Sequence, residues 1–136
     1  MKVAIVYATT TGNTEALANA AAEGAKALNY DVTITQADSA DTAETLAADL
    51  ILLGSPAMGA EQLEDSMEGF FLDIEGSLSG KKVGLFGSYD WGDGQWLSDW
   101  SERVTSAGAT LTGTVKAQLS PDEAALEAAR KLAGSL

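Results

Sequence analysis

"KVAIVYATTTGNTEALANA" (residues 2–20) holds three kinds of chain in succession. Residues 2–7 form a short, largely apolar run of the sort expected of a strand buried on both faces. Residues 8–14 are small, hydroxylated and glycine-containing. From Asn13 the pattern turns helical, with Leu17, Ala21, Ala25 and Leu28 recurring on one face. A buried strand, a tight polar loop and an amphipathic helix make the opening unit of an α/β fold.

The same alternation continues to the end of the chain. "YDVTITQ" (30–36) alternates and reads as a strand nearer a sheet edge; residues 41–48 suggest a short helix. "DLILLGS" (49–55) and "KKVGLFGSY" (81–89) read as buried strands, separated by an acidic amphipathic helix over 62–76. Residues 95–107 are helical and carry Trp96, Leu97, Trp100 and Val104. "ATLTGTVKAQ" (109–118) is a last strand, bent near Gly113. "SPDE" then starts a final helix, with Ser120 as N-cap, Pro121 at the first helical position and Glu123 closing a capping box. Its inward face is Ala125, Ala129, Leu132 and Leu136.

Five β-α units predict one doubly wound domain over 1–136, its parallel five-stranded sheet ordered 2-1-3-4-5 with helices on both faces. Ligands of such sheets bind outside the carboxyl ends of the strands. Function is therefore expected in the loops at 8–14, 55–62 and 88–95.

Composition narrows the chemistry. Of 136 residues, 46% are hydrophobic and 21% charged, the balance of a globular protein. Without cysteine or histidine there is no thiol catalysis, Cys-ligated cluster, Ser-His triad or His-bound zinc. A net charge of −12 excludes nucleic acid as a partner and favours proteins with basic patches. No apolar run reaches the roughly 20 residues of a membrane span, and none at the N-terminus suits a signal peptide, so the cytoplasm is the expected location; the expected state is a monomer.

The first loop meets the start of a helix, where orphan N–H groups and the dipole supply about half a positive charge. Hydroxyls of Thr9, Thr11 and Thr14, with the Asn13 amide, add neutral donors. A phosphate can thus be held without a cation. The spacing is not that of a P-loop, which needs a Lys after the glycine. In the second loop, "GSPAMGAEQLED", Pro56 makes a turn, and Met58 is exposed with a thioether suited to an aromatic ring. In the third, "GSYDWGDGQW", Tyr89 and Trp91 stand beside Asp90 and Asp93 in a glycine-rich loop, where rings suit a flat ligand. Trp96 and Trp100, at helical spacing, suit the core.

Taken together, "TTTGNTE", "GSPAMGAEQLED" and "KKVGLFGSYDWGDG" resemble the phosphate loop and the two flavin-flanking loops of the flavodoxins, in the short-chain form of anaerobic bacteria. The resemblance spans essentially the whole chain. It implies FMN as cofactor, with the phosphate on Thr9, Thr10, Thr11, Gly12, Asn13 and Thr14. It places Ser55, Pro56, Ala57, Met58, Gly59, Ala60 and Glu61 along one side of the ring, with Glu61 accepting from N3–H. Ser88, Tyr89, Asp90, Trp91 and Gly92 line the other side, so that Met58 and Trp91 cover opposite faces. In the family the peptide joining Gly59 and Ala60 turns over on reduction, and the Gly59 carbonyl then accepts from the protonated N5.

The implied role is a low-potential one-electron carrier, shuttling between semiquinone and hydroquinone in place of ferredoxin and serving ferredoxin- or flavodoxin-dependent oxidoreductases. Glu61, Glu64, Asp65, Asp90 and Asp93 would oppose the anionic hydroquinone, with no Lys or Arg nearby in sequence. One charge about 8 Å away costs roughly 2 kcal/mol at an effective dielectric of 20. Two departures stand out. Ala60 disfavours the turn that needs positive φ there and is expected to bias the loop toward its reduced form. Asp90, where close relatives often have Gly, should lower the hydroquinone potential. Three other readings share the topology. A flavin-dependent quinone or azo-compound reductase would be longer and equipped for a pyridine nucleotide. A dedicated metalloenzyme activator would differ only in surface charge. A signalling receiver domain needs acidic residues at its first and third strand ends, where this chain has Tyr7-Ala8-Thr9 and Gly54-Ser55.

Overall fold

The computed structural model describes residues 1–10, 12–58, 62–90, 92 and 94–135. Five parallel strands form the central sheet: β1 (Lys2–Tyr7), β2 (Asp31–Gln36), β3 (Leu50–Gly54), β6 (Lys82–Tyr89) and β7 (Thr110–Gln118). Their spatial order is β2-β1-β3-β6-β7, the 2-1-3-4-5 order expected. The short strands β4 (Ala57–Met58) and β5 (Gln62–Leu63) pair antiparallel in a separate hairpin. The helices are α1 (Asn13–Ala27), α2 (Thr42–Leu46), α3 (Asp65–Glu75), α4 (Gln95–Ser106) and α5 (Glu123–Arg130). A 3₁₀ turn at Leu132–Ser135 follows.

The strand pleat divides the core into two layers. Val3, Ile5, Leu50, Leu52 and Phe86 face α1 and α5, where they meet Leu17, Ala21, Ala25 and Ala129. Ala4, Val6, Ile51, Leu53, Val83 and Leu85 face the other side, against Met67, Phe71 and Ile74 of α3 and Trp96, Trp100 and Val104 of α4. Each fully buried aliphatic side chain contributes about 1.5–3 kcal/mol, which is why β1 and β3 read as near-continuous apolar runs. β2 lies at the edge, and its exposed–intermediate alternation follows. α3 and α4 are tied by Arg103, whose guanidinium forks onto Glu68 with two bonds of 2.8 Å and stacks 4.7 Å above the Phe71 ring.

Three expectations change. Residues 62 and 63 belong to the hairpin, and the helix starts at Asp65 with Glu64 as its cap. α5 starts at Glu123, two residues beyond Pro121, because the Asp122 carboxylate accepts from Ala125 N–H at 2.8 Å and outcompetes Ser120 as cap. Leu28 ends α1 at 46% exposure rather than on its buried face. Leu136 lies outside the described residues. The bend in β7 is a bulge at Thr112: Leu111 pairs with Val83 and Gly113 with Gly84, leaving Thr112 extra.

Register brings the three loops to one edge. Tyr7 pairs with Gly54, and Gly54 with Phe86. Beyond these the ladder persists, as Ala8 N–H donates to the Gly54 carbonyl (2.9 Å) and Ser55 N–H to the Phe86 carbonyl (3.2 Å). The chains crowd here: a Cβ at Gly87 would lie 2.1 Å from the Ser55 carbonyl oxygen.

Candidate cofactor site

The loop after β1 ends in an open helix terminus. Gly12, the N-cap of α1, holds φ +89° and has no side chain with which to satisfy the first N–H groups of the helix. A Cβ built on Gly12 would meet nothing within 4 Å, so space lies in front of it. The Gly12 N–H donates to Thr9 Oγ1 at 3.0 Å, which folds the loop and leaves the Thr9 hydroxyl proton to donate elsewhere. Thr14 is 1% exposed, and its hydroxyl shares a 2.9 Å bond with Ser88 Oγ, joining the start of α1 to the end of β6.

The one carboxylate in the first turn, Glu15, accepts from the Tyr7 hydroxyl at 2.8 Å. Burial first, and then the bond to Glu15 and its charge, raise the Tyr7 phenol above its ordinary 10.0. The folded-state pKa therefore exceeds the unfolded one. Stability from this group is complete below pH 10 and declines as pH rises through the folded value. Tyr7→Phe should cost about 1 kcal/mol at neutral pH. It should also remove part of the loss of stability above pH 10, read by urea unfolding at stepped pH. An unchanged alkaline slope would show that Tyr7 does not carry that loss.

In the second loop Ser55 is fully buried. Its hydroxyl donates to the Pro56 carbonyl (2.9 Å) and accepts from Glu64 N–H (3.0 Å), closing the base of the β4–β5 hairpin. Pro56 is buried, Ala57 half-buried, and Met58 37% exposed at the tip of β4, as a ring-facing thioether requires. The Glu64 carboxylate accepts from the N–H and the hydroxyl of Ser66, so it caps α3.

In the third loop Tyr89 turns its ring onto Trp96, 5.5 Å between centroids at 48°, rather than standing free. Asp90 and Gly92 are exposed, and Gly92 and Gly94 take φ of +87° and +90°. Thr10 is exposed. Thr11, Gly59, Ala60, Glu61, Trp91 and Asp93 lie outside the described residues. Among the described residues no group of His, Cys, Asp or Glu is placed to hold a metal.

Sequence and fold both match known proteins. The flavodoxin family model matches residues 5–132. The flavodoxin of Megasphaera elsdenii is 48% identical over 123 residues, 90% of either chain. That of Clostridium beijerinckii is 43% identical over 122 residues, 88% of either. This chain belongs to the flavodoxin family. The solution structure of two-electron-reduced Megasphaera elsdenii flavodoxin superposes with a TM-score of 0.90 at 43% identity, covering 98% of this chain and 99% of that one.

Flavodoxins are FMN-binding electron carriers, not enzymes, and the reductase and activator readings lose their support with that membership. This flavodoxin's own residues fit the cofactor: among the described residues no side chain caps the start of α1 and space is open beside Gly12, which suits a phosphate, and the exposed Met58 suits a ring. Sequence reasoning missed the residues that brace the third loop from β7. Gln118 Nε2 donates to the Asp90 carbonyl at 3.3 Å, and Leu119 N–H to the Tyr89 carbonyl at 2.7 Å. Lys116 packs against Gly94, where a Cβ would come within 2.9 Å of the ammonium nitrogen. No Lys or Arg lies near the loop in sequence, as read above, but the fold brings one to it in space. Parallel pairing of β6 with β7 carries residue 116 there, and no spacing along the chain signals it.

Proposed function

We propose that residues 1–136 act as a monomeric, cytoplasmic single-domain carrier that moves one electron at a time at low potential, in place of a ferredoxin. The open N-terminus of α1 at Gly12 carries this reading. FMN supplies the two successive one-electron steps when bound. Thr9, Thr10, Thr11, Gly12, Asn13 and Thr14 hold its phosphate by N–H and hydroxyl donors, without a cation. Ser88 supports Thr14 from below, and Ser55 and Pro56 hold the hairpin that presents Ala57, Met58, Gly59, Ala60 and Glu61. Tyr89, Asp90, Trp91 and Gly92 form the opposite wall. Carboxylates along this edge disfavour added negative charge, which lowers the potential of the second electron.

Partners are redox enzymes with basic docking patches. Between the hairpin and α4 runs a cleft of about 320 Å³ bordered by Asp65, Glu68 and Asp99 against the single cation Arg103. It adds to the negative field that steers a basic partner toward the loops. Among the described residues no helix is long and apolar enough to cross a membrane.

Titration of the apo-protein with FMN and with riboflavin tests the reading. Binding of FMN about 100-fold or more tighter than riboflavin is expected, since a phosphate held by several charge-assisted bonds contributes about 3 kcal/mol or more. Equal affinities would reduce the first loop to a helix start with no ligand.

A further inference from the structure

The end of β7 clasps the third loop at three points. Leu119 N–H holds the Tyr89 carbonyl and the Gln118 amide holds the Asp90 carbonyl. Lys116 lies along Gly94, with its Cδ 3.0 Å and its Nζ 2.9 Å from where a Cβ would stand. Leu119 takes φ +59°, a left-handed conformation unusual for leucine, and in it makes the shortest of these bonds. Two of the three contacts are neutral and fix only the backbone path. The third brings an ammonium to a loop that carries Asp90, in a chain with 20 acidic and 8 basic residues.

We propose that Lys116 is a positioning and charge residue for the flavin loop: its stem packs Gly94, and its ammonium sets the potential of the second electron. The inference rests on the carrier reading above. An added electron gives the bound flavin negative charge, and a cation at the loop favours that state over the one before it. Lys116 is exposed, so the interaction is screened and modest. A single charge of this kind, taken for scale at about 10 Å and a dielectric between the protein and water values, is worth about three- to tenfold in the equilibrium of that step. The carboxylates and Lys116 then act in opposition, and the potential reflects their difference.

The test compares Lys116→Met, which keeps an unbranched stem against Gly94, with Lys116→Arg, which keeps the charge. Each FMN-loaded protein is titrated spectroelectrochemically for both one-electron potentials, at low and at high ionic strength. In Lys116→Met the second potential should fall by the equivalent of about three- to tenfold, at most about 59 mV for a one-electron couple. The first potential should move less, and high salt should shrink the difference. Lys116→Arg should match the unsubstituted protein. An unmoved second potential in Lys116→Met overturns the inference, as does an equal, salt-independent shift in both variants, which would mean packing alone. If the unsubstituted protein takes up no FMN, the carrier reading fails and this inference with it. Normal uptake with unmoved potentials sinks only the role of Lys116.

Discussion

Asn13→Asp is expected to strengthen the apo-protein and all but abolish its preference for FMN over riboflavin. Asn13 is the first residue of α1, directly after the bare N-cap Gly12. In the apo-protein a carboxylate there meets the positive end of the helix dipole and gains about 0.5 kcal/mol. Against a bound phosphate the same carboxylate is a like charge within a few ångströms, and it replaces an amide donor by an acceptor. The repulsion, taken near an effective dielectric of 20, and the lost bond together amount to about 3 kcal/mol or more. FMN affinity should therefore fall on the order of 100-fold, while riboflavin, which has no phosphate, should bind as before. Urea unfolding of the apo-protein and parallel titrations with the two flavins read all three quantities. The opposite signs are what separate an anion site from a helix start. A mere helix start would gain stability with no selective loss of FMN, and equal losses for both flavins would place the phosphate elsewhere.

That first loop was legible because its features are local: a buried strand, a glycine at the helix entry, and hydroxyls within a few residues of it. β1, β3 and β6 were equally plain, since a strand covered on both faces has apolar side chains on both. The hairpin at residues 57–63 was not, because two-residue strands have no room for a period and their residues resemble those of a loop or a first helical turn. The start of α5 offered two capping signals, Ser120 and Asp122. The stronger one, a carboxylate accepting at 2.8 Å, set the boundary. Contacts across the sheet were beyond the sequence. Thr14 reads as a free donor until β6 brings Ser88 to it over 74 residues, and Lys116 reads as a strand lysine until β7 pairs with β6. The packing of Tyr89 on Trp96 was likewise beyond the sequence, since nothing in the spacing signals that contact.

The same substitution, Gly→Ala, should have opposite signs at two helical positions. Helix propensity alone favours alanine by about 1 kcal/mol at either site. At Gly69, exposed in the middle of α3, a Cβ would meet nothing within 4 Å, so Gly69→Ala should stabilise the fold by about 0.5–1 kcal/mol. At Gly24, in α1, a Cβ would lie 1.8 Å from the Arg130 carbonyl oxygen and 2.5 Å from its carbon. Those are backbone atoms of α5, so no rotamer change relieves the overlap. α5 is also held against α1 by Arg130, whose guanidinium bonds Glu23 at 3.1 Å while reaching Glu123 and Glu127 on its own helix. Ala129, Leu132 and Ala133 are buried against the sheet just beside it. Moving α5 outward to admit one methyl group opens that packing, and overpacking of this kind costs about 1–3 kcal/mol or more. Gly24→Ala should thus destabilise the protein by about 2 kcal/mol after the helix gain is counted, seen as a lower urea midpoint with an unchanged slope. A stabilised Gly24→Ala protein would mean that α5 rides loosely on α1, and that the close approach of the two helices contributes nothing to the fold.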